Sequence, residues 1–171
     1  AKLTGLPIER VTIHNFLLGG AFGRRLQADM ITRTVEVARH CDGPVKLIWS
    51  REEDIRQDHF RPIYRDMVKA SIDPSGKPAI WDHRICGPSL MARLAPEYFD
   101  GMDADIIDGA VNTPYALPAQ RVEWLRNENP VPTAWWRGVG GLRNAFVVES
   151  FIDELAHEAG RDPLEYRLDM I

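Results

Sequence analysis

Two glycine-rich segments hold the residues best suited to chemistry. The first is Gly19-Gly20-Ala21-Phe22-Gly23-Arg24-Arg25. Glycines let a backbone approach a ligand closely, and a helix that follows them offers unpaired N–H groups and a positive dipole to an anion. Arg24 and Arg25 add fixed charge suited to phosphate. The same pattern fits a tight strand-to-helix turn with a solvated arginine pair. Its spacing is not that of the dinucleotide fingerprint, and the Gly-Lys-Ser/Thr of a Walker loop is missing. The second segment is Trp135-Trp136-Arg137-Gly138-Val139-Gly140-Gly141. An arginine between aromatic walls and glycines suits the polarising of a substrate carbonyl or an oxyanion. Equally, the Trp pair can pack as a cover with Arg137 stacked on it.

Other candidates are weaker. His14, His40, His59, His83 and His157 form no i, i+4 pair, so a helix-borne metal pair is absent. His157 lies beside Glu154 and Glu158 and reads as a solvated or paired side chain. Asp100, Asp103, Asp105 and Asp108 lack the order of an EF-hand loop, and no nucleophile elbow occurs. Cys41 and Cys86 are too far apart for a metal motif and too few for a disulfide scaffold.

The first glycine segment should be positioned by a strand over residues 9–18 and a helix over 27–41, whose Ala28, Ile31, Val35 and Ala38 share a face. Asp42-Gly43-Pro44 stops that helix, and residues 45–49 read as a short buried strand. Strand, loop, helix and strand favour a parallel pairing with a right-handed crossover. Ser50 can cap a short helix, with Glu53 at the capping-box position. Residues 64–72 and 80–86 flank Asp73-Pro74-Ser75-Gly76-Lys77-Pro78, which is turn chemistry, so a hairpin is expected over 64–86. Residues 88–120 should hold short helices and irregular connections, and residues 121–128 another strand. A helix over 144–159 follows the second segment, with Val147, Val148, Phe151, Ile152, Leu155, Ala156 and Ala159 on its face and Gly160 as its stop. Asp162-Pro163-Leu164-Glu165 starts the last helix. The middle hairpin interrupts any doubly wound alternation. The expected fold is therefore α+β, a mixed β-sheet with helices packed mainly on one face.

Composition narrows the function. With 44% hydrophobic and 27% charged residues the chain is neither disordered nor fibrous. Lys plus Arg total 21 against 25 for Asp plus Glu, and no basic stripe marks a nucleic-acid surface. No window approaches the ~18 continuous apolar residues of a membrane span. The chain has no initiating Met and stops within an apolar pattern at Leu168-Asp169-Met170-Ile171, so it is expected to be cut from something longer.

The glycine segment with its helix, then PVKLIWSREEDI (44–55), TPYALPAQRVEW (113–124) and the stretch from TAWWRGVGG onward (133–171), resemble one family across nearly the whole chain. It is the molybdopterin-binding large subunit family of xanthine dehydrogenase and aldehyde oxidase. Within it the likeness is to the branch of isoquinoline 1-oxidoreductase β-subunits and membrane-bound aldehyde dehydrogenase large chains. The resemblance implies a molybdenum-cofactor-binding-domain fold and a molybdenum hydroxylase that oxidises an aldehyde or N-heteroaromatic substrate with oxygen from water. It implies molybdopterin, in its cytosine dinucleotide form, whose dithiolene holds the metal without protein ligands. Gly19, Gly20, Ala21, Phe22 and Gly23 would pack against this cofactor, joined by Gly138, Gly140 and Gly141. Arg137 would be the catalytic residue over the substrate, and Arg24 and Arg25 would supply local anion contacts.

The position at which purine-oxidising relatives carry a substrate-binding Glu is Leu26, so purines are not expected. The family's further glutamine loops and its Gly-Glu segment with the general base are missing. Residues 1–171 are thus expected to be a single molybdopterin-binding domain, a fragment of a longer catalytic subunit, inactive and cofactor-free by itself. The implied partners are the remainder of that subunit, an iron–sulfur small subunit and a small substrate, in bacterial cytoplasm or periplasm. A non-catalytic assembly domain and a generic nucleotide-binding module are the alternative readings.

Overall fold

Asp73 organises the turn on which the sheet is built. In the computed structural model, which describes residues 1–171, its Oδ1 accepts from Ser75 N at 2.8 Å and Lys77 N at 3.0 Å, while Gly76 takes φ +83°. This closes an antiparallel hairpin between β1 (Arg65–Ile72) and β2 (Pro78–Gly87), in register from Arg65 opposite Cys86 to Ser71 opposite Ile80. On the far side of β2, β3 (Gln120–Arg126) runs parallel, with Trp81 opposite Gln120 and Ile85 opposite Trp124. The three-stranded sheet has the order β1-β2-β3 and is mixed, as expected.

The chain divides into two compact units, residues 1–59 and 60–171. The first holds α1 (Asp29–Ala38) and α2 (Arg51–Gln57), and none of its residues is buried. Ser50 caps α2 as its sequence suggests, its hydroxyl accepting from Glu53 N at 3.3 Å. The strands expected over 9–18 and 45–49 do not form, and neither does their parallel crossover. A strand exists only where its N–H and C=O groups meet a partner's. Here residues 8–10 make a 3-10 turn after Pro7 and the rest joins no ladder. Phe16 and Leu17 are left 80% and 104% exposed, so burial does not hold the segment either.

The second unit carries the sheet and the core. Short helices α3 (Met91–Leu94) and α4 (Ala104–Ile107) interrupt the long connection, and α5 (Val139–Glu158) lies along the sheet's inner face. The helix begins five residues earlier than its apolar periodicity indicates, because the glycines of the second segment form its first turn. Its buried stripe, Gly140, Asn144, Val148, Ile152, Leu155 and Ala156, follows the helical repeat. Val148, Ile152, Leu155 and Ala156 join Trp81, Tyr166 and Met170 in one cluster, and Ile85, Ile106 and Ala110 form a second. Gly160 (φ +64°) ends α5 in a Schellman motif, with Arg161 N donating to Ala156 O and Gly160 N to His157 O, both at 2.9 Å. Asp162 Oδ1 then caps α6 (Pro163–Leu168), accepting from Leu164 N at 2.9 Å and Glu165 N at 3.1 Å. Arg167 staples α6 back to α5 through Glu149 at 2.8 Å and Asp153 at 2.6 Å.

Ile152 is fully buried at the centre of this packing. Ile152→Ala is expected to destabilise the second unit by about 2–5 kcal/mol, since it removes buried methyl groups and leaves a cavity. Leu164→Ala, at a position 63% exposed, should stay within about 0.5 kcal/mol. Urea unfolding followed by Trp fluorescence measures both; equal effects would contradict this placement of the core.

Candidate functional site

The first glycine segment is a strained bend. Gly20 takes φ +132°, Phe22 φ +51° and Gly23 φ +90°. A Cβ at Gly20 would lie 2.8 Å from the tip of the exposed Phe22 ring, which can move aside, so it is the φ of +132° that favours glycine here. Around Gly19 a Cβ would meet nothing within 4 Å. The N–H groups of Gly20, Ala21 and Gly23 donate to no acceptor of the chain, whereas Arg24 N closes the bend onto Ala21 O at 3.0 Å. A solvent-facing run of main-chain donors beside an open glycine face fits an oxygen-rich or anionic group.

The two arginines of this bend differ. The Arg24 guanidinium forks onto Asp29 at 2.8 and 2.9 Å, and its Nε pairs with Asp58 at 2.6 Å. The Arg24 hydrogen bond holds the Asp29 carboxyl below the usual range. Arg24, expected from sequence to contact an anion, therefore already has two carboxylates as partners and clamps the bend to α1. Arg25 is exposed and keeps its charge toward solvent.

The second segment is fixed by its neighbours. Phe60 N donates to Pro132 O at 2.8 Å and Ala134 N to Phe60 O at 3.1 Å, which anchors its entry. Trp135 Nε1 donates to Asp105 Oδ2 at 2.7 Å. Gly138 (φ +81°) is the N-cap of α5 and makes no side-chain cap, and Val139 follows at φ +40°, strained for a β-branched residue. A Cβ at Gly140 would lie 1.9 Å from Asp105 O, and one at Gly141 2.8 Å from Asp108 Oδ2. These two glycines thus let α5 sit directly on α4. Arg137 is exposed on the bend, and Arg61 lies over the neighbouring Trp136 ring at 5.7 Å.

Beneath the bend lies a polar network. Arg143 Nη1 donates to both oxygens of Asp66 at 2.9 and 2.8 Å, and its Nη2 donates to Ile106 O at 2.9 Å. Its guanidinium stacks on Tyr64 at 4.1 Å, and that ring fills the space a Cβ of Gly87 would take, 2.1 Å away. His83, fully buried, lies with Nε2 2.9 Å from Asp66 Oδ1; a carboxylate only accepts, so Nε2 carries the proton. Asn144 Nδ2 donates to Ile106 O at 2.8 Å and Asp108 O at 2.7 Å. Burial pushes the Asp66 carboxyl up, but the His83 hydrogen bond and the Arg143 charge outweigh it, leaving the carboxyl below its ordinary value. Burial pushes the Tyr64 hydroxyl up despite Arg143. Tyr64, Leu90, Ile106, Trp136, Leu142 and Phe146 line an apolar cleft of about 460 Å³ above this network.

The segment around Gly20 lies within residues 1–59, and that around Arg137 within 60–171. No group of three His, Cys, Asp or Glu side chains is placed to hold a metal ion, and no helix is long and apolar enough to cross a membrane. Asp66 and Arg143 were not singled out by sequence, and His83 only as a histidine without an i, i+4 partner. Their signal is a charged or polar residue on an otherwise apolar face, as in Trp81-x-His83-x-Ile85.

Residues 1–170 match the molybdopterin cofactor-binding domain family. The isoquinoline 1-oxidoreductase β-subunit of Brevundimonas diminuta is 31% identical over 98% of this chain and 22% of its own length. A membrane-bound aldehyde dehydrogenase of Gluconacetobacter polyoxogenes is 31% identical over 100% and 23%, and a subunit of the nicotinate dehydrogenase of Pseudomonas putida 29% over 98% and 15%. The chain thus spans less than a quarter of each of these proteins.

Asp66 gives a pH signature. Its folded value is depressed, so its stabilisation is complete above the ordinary carboxylate value of about 3.9 and is lost as pH falls through the folded value. Asp66→Asn should lower stability at pH 7 by about 3–5 kcal/mol, the usual effect of leaving a buried partner unpaired. The gap to the wild type should close as acid neutralises the wild-type carboxyl. Thermal unfolding from pH 7 downward measures it, and a gap constant with pH would contradict the pairing.

Proposed function

Because the chain belongs to the molybdopterin cofactor-binding domain family, we propose that it lays main-chain donors against the cofactor and a guanidinium against the substrate in the large subunit of a molybdenum hydroxylase. The family match supports a role in an oxidoreductase subunit that binds molybdopterin. The proposal adds the substrate class, an aldehyde or an N-heteroaromatic compound. Relatives named for isoquinoline, aldehyde and nicotinate oxidation support it, as does Leu26 where purine oxidation would need a carboxylate. Kinship to the isoquinoline 1-oxidoreductase and aldehyde dehydrogenase branch, and the cytosine dinucleotide form of the pterin, belong to the same reading.

The observation that carries the proposal is the bend at Gly19, Gly20, Ala21, Phe22 and Gly23, whose Gly20, Ala21 and Gly23 N–H groups donate to nothing in the chain and whose backbone is held in a conformation that Gly20 alone tolerates. Strain of this kind persists where surrounding structure enforces it and clusters at functional sites. When bound, the cofactor supplies the two-electron oxidation of a C–H carbon, with water as the source of oxygen. The N–H groups of the bend would orient it, and Arg25 would meet its phosphate. Gly138 would leave the backbone of the second bend open to a ligand, while Gly140 and Gly141 act by seating α5 on α4. Arg137 would donate to the oxygen of an aldehyde or the ring nitrogen of a heteroaromatic, stabilising charge that grows there during oxidation. The proton-accepting base would lie on polypeptide beyond residues 1–171, within the same subunit. Residues 1–59 bury none of their side chains and expose Ile13, Phe16 and Leu17, which supports further polypeptide of that subunit, or an iron–sulfur partner, covering them. On this reading residues 1–171 serve as a single cofactor-binding domain, dependent on that polypeptide for activity, in the bacterial cytoplasm or periplasm.

In the full-length subunit, Arg137→Met is expected to lower kcat/KM by about 10²–10³-fold at unchanged molybdenum content. Gly20→Ala should lower molybdenum per protein. Full activity in the first and full loading in the second would refute the assignment.

A further inference from the structure

Val139 at φ +40° and an α5 N-cap without a side-chain hydrogen bond leave the second bend poorly stabilised by its own chain segment. Something outside it must hold the strained conformation. Three of the contacts that do so reach only α4: Trp135 to Asp105, Gly140 against Asp105 O, and Asn144 to the carbonyls of Ile106 and Asp108. Arg143 differs. Six residues beyond Arg137, it joins α5 at once to α4 through Ile106 O and to β1 through both oxygens of Asp66, while His83 on β2 shares Oδ1 of that carboxylate. The Arg143 side chain is 18% exposed and that of Asp66 11%, so solvent does little to screen the pair. Tyr64 beneath the guanidinium plane, 4.1 Å away, fixes its tilt.

We infer that Arg143 is a positioning residue: its fork, Nη1 onto Asp66 and Nη2 onto Ile106 O, with Asp66 braced by His83, sets the direction in which the bend presents Arg137. The inference rests on Arg137 acting at the substrate. It assigns the network a role in the reaction although Asp66, His83 and Arg143 touch neither substrate nor cofactor. Lysine cannot replace the fork, because an ammonium lacks the planar two-armed donor set and the stacking face. Arg143→Lys therefore keeps the charge and loses the orientation.

The test is a double-mutant cycle in the full-length, cofactor-loaded subunit with wild type, Arg137→Met, Arg143→Lys and the double variant. Arg143→Lys should lower kcat by about 10–10²-fold, the scale of a misplacement near 1 Å, with KM within about twofold. The double variant should be no slower than Arg137→Met alone. Hydrogen exchange on the cofactor-free subunit supplies a readout apart from activity: amides of 136–141 should exchange at least tenfold faster in Arg143→Lys, with those of 148–156 unchanged. Full activity in Arg143→Lys, or a loss that multiplies that of Arg137→Met, overturns the inference. Equal acceleration of exchange in both segments, the mark of a merely structural role, also overturns it. If Arg137→Met is silent, the reading of Arg137 falls by itself, and the exchange measurement still decides whether Arg143 holds the bend.

Discussion

The Arg143 guanidinium, which joins Asp66 to the Ile106 carbonyl, is the constraint on which the second unit depends. Of the two apolar clusters, the one around Ile152 and Trp81 takes four residues of α5, and the one around Ile85 and Ile106 joins β2 to α4. On β2 they are separated by His83, the one polar side chain between Trp81 and Ile85 on the buried face. Apolar packing alone leaves a helix free to slide or roll, because the hydrophobic effect has no direction. A partly buried guanidinium that gives Nη1 to a carboxylate and Nη2 to a carbonyl does have direction. It fixes α5 against β1 while Asn144 and Gly140 fix it against α4. The bend at the helix start inherits that placement.

The two candidate bends share a construction. Each puts a non-glycine residue, Phe22 or Val139, into positive φ, and each places a positive-φ glycine next to it. In each, an arginine close in sequence is locked onto carboxylates while another lies on the surface: Arg24 against Arg25, Arg143 against Arg137. Charge of one type thus does two jobs. On the proposed reading the locked guanidinium would hold the bend and the exposed one would meet the ligand. Repeated arginines in such a segment are therefore poor evidence that each of them binds something.

Much of the fold was legible because it is encoded locally. The turn Asp73-Pro74-Ser75-Gly76, the caps at Ser50 and Asp162, the stop at Gly160 and the apolar stripe of α5 all act within a few residues of themselves. The sheet is mixed as expected, but its parallel pair is β2 with β3 rather than 9–18 with 45–49, and short helices occur within 88–120. The strands expected over 9–18 and 45–49 failed because β-branched composition records a preference, whereas a ladder needs a second strand. The site divides the same way. Both bends stood out by their glycines, but Asp66 and Arg143 are 77 residues apart, and nothing near either one announces the other. Gly140 and Gly141 looked like ligand-contact glycines until α4 was seen against them.

On the proposed reading, backbone groups of the first bend would hold the cofactor. Amide hydrogen exchange of the full-length subunit, compared with and without molybdopterin, tests it at those groups. The amides of Gly20 and Ala21 should be protected at least tenfold on loading, while those of α2 keep their rates. Protection confined to other segments, with Gly20 and Ala21 exchanging as freely as before, would contradict it.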